Sequence, residues 1–371
     1  MGRERRWDPC ISHRAEAAET FIADYFAEAG RSTLVIGGAG FDPRSTAVAV
    51  LLQKTTAKVR ALFLQENRPK PAKALVDRAL ANATLLANAI PDHVVTPVDI
   101  FRGDGAVVGG RNAVAIVGRE CFDGVTDIIV DISALSVGTA FPIIRYLVEG
   151  CERGRTPANL HLFVAHDPAL DGAIGSISGD APSYVHGFRG GSTLDASAGA
   201  AKLWLPQLAS GRRAALARLH SFVDPHDTCP ILPFPATDAR RGDRLAEEYL
   251  NELESAWSVD TRNIVYADEA DPLDLYRTIL RLDDLRKPVF REVGGSYLVL
   301  SPLGSKVMAL GALMAALERD LPVAYLEAIG YELDASTAAT EGAPNIIHIW
   351  LEGDVYPRPR PGIYTEGHLA V

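Results

Sequence analysis

Two glycine-bearing turns, each directly after a short apolar run, hold the residues best suited to chemistry. The first is GGAGFDPRS at residues 37–45. Glycines let backbone approach a ligand closely, and the N–H groups opening the next helix can hold an anion. Gly38 and Gly40 supply the approach, Ser45 adds a hydroxyl, and Arg44 carries a fork that suits a phosphate. Local structure accounts for part of the same pattern, because Asp42 is a good N-cap and Pro43 fits the first helical position. The turn is not a dinucleotide fingerprint. Pro43 stands where a third small residue is needed, and Glu66 follows Gly38 by 66 − 38 = 28 residues rather than ~20. The P-loop pattern GxxxxGK[ST] does not occur either.

The second turn lies within LSPLGSKVMALGALMAALE, residues 300–318. Ser301 ends the apolar run, Gly304 opens the turn, Ser305 can cap a helix and Lys306 falls in its first turn. A lysine there opposes the helix dipole, and a bound phosphate would explain it. A solvated surface lysine is the plain alternative. Gly311 and the alanines around it let this helix pack closely against its sheet.

Other polar groups fall at the ends of apolar runs. DISALSVGT (131–139) places Asp131 and Ser133 after DIIV, with Thr139 available as a helix cap. Ser133 and Ser136 lack the GxSxG setting of a nucleophile. His161 and His166 differ by five positions, which puts them on opposite faces of a strand and argues against a shared metal. Asp167-Pro168 reads as a turn or helix start. SYVHGFRGG (183–191) gathers Tyr184, His186, Phe188 and Arg189 on a segment that could close over a base, or serve as an ordered surface loop. His226 and Asp227 form at most a weak acid–base pair. The cysteines Cys10, Cys121, Cys151 and Cys229 are scattered, so neither a zinc site nor another metal centre is expected, and no cofactor is implied.

The elements that must position these groups alternate regularly. Apolar runs at 33–36, 59–64, 93–98, 127–132 and 160–165 read as strands. Amphipathic stretches at 45–56, 71–89, 107–120 and 139–151 read as helices. After a Gly- and Ser-rich stretch, 170–225, read as a long loop, strands are expected at 229–235, 263–267, 296–301, 322–329 and 345–351. Helices are expected at 241–257, 272–286 and 306–318. Near-continuous apolar strands alternating with helices imply parallel sheets covered on both faces. The expected fold class is therefore α/β, with two Rossmann-like domains of mostly parallel sheet. The domains fall at 1–205 and 229–371, with a linker at 206–228. The final PRPRPG (357–362) reads as an exposed tail.

Composition bounds the function. The chain has 371 residues, of which 47% are hydrophobic and 23% charged, and its net charge is −10. An acidic surface of this kind disfavours extended nucleic-acid binding but allows a small basic pocket. No run approaches the ~18 apolar residues of a membrane span, and the N-terminal residues lack the apolar core of a signal peptide. A cytoplasmic protein with no membrane partner is expected.

The segment GSKVMALG (304–311), following an apolar strand, resembles the loop of CRISPR-associated Rossmann-fold domains. In that loop a small hydroxyl residue and a lysine contact a cyclic oligonucleotide. The match carries to Gly304, Ser305 and Lys306, with Met308 packing the helix. Ser305 stands where threonine is usual, and Leu303 stands where a glycine is commoner. The resemblance implies a nucleotide or cyclic-oligonucleotide sensor in a prokaryotic defence or signalling pathway, as a homodimer or with a partner protein. One alternative is an enzyme acting on a nucleotide-like metabolite, with Asp131, Ser133, His166, Asp167 and His186 as its acid, base and positioning groups. Another is a non-catalytic assembly scaffold.

Overall fold

The computed structural model describes residues 5–190, 199–334 and 344–356. It divides into two compact units: Met1–Asp167 with Thr340–Val371, and Pro168–Ala339. Both are α/β, built on mostly parallel sheets flanked by helices.

The first unit begins with a short strand β1 (Ser12–Arg14) and helix α1 (Glu16–Tyr25). Strands and helices then alternate: β2 (Thr33–Gly38), α2 (Ala47–Gln53), β3 (Val59–Asn67), α3 (Lys73–Ala89), β4 (His93–Asp99), α4 (Gly109–Val117), β5 (Asp127–Asp131), α5 (Val137–Glu152) and β6 (Asn159–His166). A late strand, β16 (Asn345–Glu352), completes a seven-stranded sheet of order β1-β16-β6-β5-β2-β3-β4. The stretch from β6 to β4 is parallel, whereas β16 runs antiparallel to β6, and β1 antiparallel to β16. The strands β2, β5 and β6 are buried along their whole length, which is why they read as unbroken apolar runs.

The second unit opens with α6 (Pro168–Ala173), β7 (Ile174–Ser178) and β8 (Ser183–Tyr184). There follow β9 (Ala201–Pro206), α7 (Arg213–Val223), β10 (Asp227–Thr228), β11 (Ile231–Pro233), α8 (Arg241–Glu248), β12 (Val265–Ala267) and α9 (Pro272–Phe290). It closes with β13 (Ser296–Ser301), α10 (Lys306–Arg319), β14 (Ala324–Tyr325) and β15 (Ala328–Leu333). β9 lies between β10 and β13, both parallel to it, and β11 pairs in parallel with β12. Parallel bridges from Gln207 to Ile231 and from Leu300 to Val323 extend the array on both sides. Trp204, Tyr249 and Trp257 fill the core beneath it.

Each unit therefore has the same winding. In the first, β2 has β3 on one side and β5 on the other; in the second, β9 has β10 and β11 on one side and β13 on the other. The chain reverses its direction of progress between β2 and β5, and again between β9 and β13. Ligands of open α/β sheets bind outside the carboxyl ends of the strands at such a reversal.

Several expectations are corrected here. The units are not sequential halves: the strand expected at 345–351 joins the first unit's sheet, so Pro168–Ala339 is an insertion between β6 and β16. Residues 206–228 are not a linker, because they hold α7 and β10, and the loop read at 170–225 also contains β7, β8 and β9. An apolar run such as NIIHIWL announces a buried strand but carries no information on which sheet receives it. The PRPRPG tail lies outside the described residues, as do residues 191–198 of the Gly-rich stretch.

Candidate functional site at the two sheet reversals

In the first unit, the turn after β2 faces the turn after β5. A Cβ on Gly37 would stand 3.6 Å from the Asp131 Cβ, and one on Gly38 would stand 3.1 Å from the Ala134 backbone. Gly38 is thus required for the close approach of the two loops. Gly40 faces open space, and its carbonyl accepts from Asn82 Nδ2 at 2.9 Å. Asp42 caps the following turn by accepting from the Arg44 N–H at 3.0 Å, with Pro43 in first position.

The Arg44 side chain is buried, and its guanidinium forks onto the same carboxylate: Nε lies 3.0 Å from Oδ1 and Nη2 lies 2.8 Å from Oδ2. The fork expected to hold phosphate is occupied within the loop. Ser45 is buried beside it, and its Oγ has no hydrogen-bond partner among the described residues.

On the facing loop, Asp131 Oδ1 accepts from the Ser133 N–H at 3.0 Å and from the Ser133 hydroxyl at 2.5 Å. Burial pushes the Asp131 carboxyl up to about 7, outweighing these two hydrogen bonds. Ser133 Oγ also accepts from the Ala165 N–H at 2.8 Å, so it ties β5 to β6. That tie is a structural role.

Glu66, at the end of β3, accepts from the Ser136 N–H at 3.0 Å and the Ser136 hydroxyl at 2.8 Å, and pairs with Arg68 at 2.7 Å. Burial would raise its pKa, but the Arg68 charge and these donors hold it below the ordinary carboxylate range. Thr139 was a candidate cap for α5; Ser136 occupies the N-cap position and turns its side chain to Glu66 and Thr139. His166 and Asp167 end β6 nearby in sequence. His186 is exposed and belongs to the second unit, so the five acid–base candidates do not form one cluster within a unit.

In the second unit, Ser301 is fully buried and structural. It accepts from Trp204 Nε1 at 2.9 Å and donates to the Ala324 carbonyl at 2.9 Å. Ser305 caps α10 by accepting from the Met308 N–H at 3.2 Å, and Lys306 is the first residue of this 14-residue helix. Facing the turn from the end of β9 is Gln207, 1% exposed. Its Nε2 donates to the Met308 carbonyl at 3.1 Å, while its Oε1 has no partner among the described residues. A Cβ on Gly304 would stand 3.0 Å from that oxygen. Gly311, read as fitting α10 to its sheet, instead fits α10 to α9, where a Cβ would collide with the Pro272 carbonyl.

Sequence reasoning missed Gln207, because a lone glutamine beside an unassigned strand gives no signal. It also missed the alignment of His13, His348 and His161, which only strand pairing brings together. The described part of the aromatic segment, 183–190, is anchored by fully buried Phe188 and by β8 pairing with β14, which suits an ordered loop. His226 accepts from the Lys202 N–H and Asp227 faces Arg286, so these two do not act as a pair. Among the described residues, no cluster of His, Cys, Asp and Glu is placed to hold a metal, and no helix is long and apolar enough to cross a membrane.

No family model matches the chain, and no curated protein matches it. Among solved structures, a type III CRISPR defence DNA nuclease activated by cyclic oligoadenylate is similar with a TM-score of 0.48 and 10% identity, covering 81% of this chain. The match takes in 66% of the nuclease chain, just short of two thirds of its length. A RipA mutant is similar with a TM-score of 0.19 and 13% identity, over 76% of this chain and 69% of that one.

Proposed function

We propose that the chain is a nucleotide-binding protein that holds a phosphate of its ligand at the turn Ser301–Lys306. The observation that supports this reading is Lys306 as first residue of a long helix at a sheet reversal, a position where backbone N–H groups and a lysine charge favour an anion. Gln207 Oε1, a buried acceptor with no partner among the described residues, offers a ligand hydroxyl or amino group the complementary hydrogen bond. The resemblance at Gly304, Ser305 and Lys306 favours a cyclic oligonucleotide as the ligand and a sensing role in defence. The loop of Gly38, Gly40 and Ser45 is a second candidate contact in the first unit, where Arg44 acts through Asp42 rather than as an open cation. The ligand is small, since the acidic chain does not favour an extended nucleic acid.

Titration calorimetry of the full chain with linear and cyclic oligoadenylates tests the reading. Lys306→Gln is expected to weaken binding by about 1.5–3 kcal/mol, the scale of a charged hydrogen bond. Equal affinity for wild type and variant would remove this site.

A second reading has one observation in its favour. A buried carboxyl with a pKa of about 7, as at Asp131, is suited to general acid–base chemistry on a nucleotide-like metabolite. Turnover abolished by Asp131→Asn with binding retained would select it.

A further inference from the structure

Three histidines from distant parts of the chain form one hydrogen-bonded row in the first unit. His13 Nδ1 lies 2.9 Å from His348 Nδ1, His348 Nε2 lies 3.0 Å from His161 Nδ1, and His161 Nε2 lies 3.3 Å from Asp127 Oδ1. His348, His161 and Asp127 are fully buried, while His13 is partly exposed on edge strand β1. Its register partner across the ladder is His348. Phe21 stacks against both His13 and His348, with ring centroids at 4.5 and 4.3 Å.

Counting protons fixes the state of every ring. Asp127 also accepts from the Tyr25 hydroxyl at 2.9 Å and the Thr126 hydroxyl at 2.6 Å, with Arg31 at 3.5 Å, all of which favour its ionised form. An ionised Asp127 requires a proton on His161 Nε2. His161 Nδ1 must then accept from His348 Nε2, and His348 Nδ1 must accept from His13 Nδ1. His13 Nε2 is left as the bare end of the row. It opens on a groove of about 600 Å³ lined also by Glu16, Phe21, Asp24, Tyr25 and Glu28. One added proton on His13 Nε2 leaves every bond intact. A second must go to His348 or His161, where two N–H groups would then face each other and a bond must break.

We propose that this row is a proton-operated latch that holds β1 on the sheet and releases it when a second proton enters. The charged groups facing the row are Asp127 and Arg31 at its buried end, with Tyr25, and Glu16, Asp24 and Glu28 of α1 at its open end. Burial holds all three imidazoles below their ordinary pKa, and His348 well below it, so the latch is closed at neutral pH and strained by acid. Release is local. Arg6, paired with Glu352, and Trp7, whose Nε1 donates to the Leu351 carbonyl, fasten the chain ahead of β1 independently of the row.

The test uses the full chain. Long-range nitrogen–proton spectra at about pH 7.5 are expected to show Nδ1–H on His13 and Nε2–H on His348 and His161. Backbone hydrogen exchange at residues 12–15, corrected for intrinsic rates, is expected to accelerate at least about tenfold between about pH 7.5 and about pH 4, a range that reaches far enough below the ordinary imidazole value for the second proton to enter. In His13→Phe, which keeps the stack on Phe21 but cannot oppose a second N–H, exchange should vary less than about twofold. The proposal is overturned by the opposite tautomers, by flat exchange in the wild type, or by wild-type acceleration in His13→Phe. Should that variant not fold, the tautomers and the wild-type profile still decide.

Discussion

Asp131 and Arg44 lie on facing loops of the first unit, and the structure gives each a measurable signature. Asp131 titrates near 7 in the fold against 3.8 as its ordinary value. Between those values the folded protein holds a proton that the unfolded chain has lost, so this group's contribution is present at low pH and disappears as pH rises toward 7. Asp131→Asn cannot titrate. Its stability relative to wild type should therefore climb by about 1.4 kcal/mol per pH unit across that window, as read by urea melts at several pH values. A flat difference would mean that Asp131 is ionised throughout. Arg44 is held by Asp42 with its side chain only 4% exposed. Removing one partner of a buried pair leaves an uncompensated charge, so Arg44→Ala should destabilise the protein by about 3–5 kcal/mol. A loss of nucleotide affinity without that destabilisation would instead return Arg44 to the ligand.

The helix pair α9 and α10 makes the corresponding case for whole elements. A Cβ on Gly311 would meet the Pro272 carbonyl oxygen and would stand 3.1 Å from Leu275 Cβ. Gly311→Ala should therefore push α10 from α9 and cost about 1–3 kcal/mol, measurable as a lower Tm. The sequence made these helices legible because Asp271-Pro272 and Ser305 mark their starts and apolar spacing marks their length. Strands β2 to β6 were equally legible, as were β11, β12 and β13, since they carry apolar runs. Others were not. β7, β8, β9 and β10 hid within the stretches read as loop and linker, β16 carried no address for its sheet, and β1 was too short to show a period. The candidate site divides in the same way. The turns at 37–45 and 301–306 announce themselves through glycine, proline and serine. The engagement of Arg44 by Asp42, the Glu66–Ser136 contact and the approach of Gln207 to Gly304 depend on which strands become neighbours.

At the scale of the whole chain, the second unit is an insertion whose two ends return to paired strands. His166 is the register partner of Asn345 in the first unit, and Ile174 that of Leu333 in the second. Each unit thus has its own entry and exit side by side. Replacing residues 167–344 by a short turn should leave a folded first unit, and residues 168–339 should fold alone. Dispersed proton spectra and a cooperative thermal transition for each fragment are the expected results, and a molten or insoluble fragment would show that one unit depends on the other.

The same connectivity sets an order of events on the ribosome. When β6 has been synthesised up to His166, its neighbour β16 is still unmade, because Glu352 lies 352 − 166 = 186 residues downstream. At ordinary elongation rates that is a delay of roughly 10–40 s. Throughout it the nascent first unit carries an open strand edge rich in Leu, Phe and Val. His161 stands beside Asp127 in this period without the ring that later completes its row. The inserted unit, contiguous in sequence, can finish folding during the same interval. The older domain in order of synthesis is therefore the younger in order of completion, and chaperone contacts of the nascent chain should concentrate on β6 until β16 emerges.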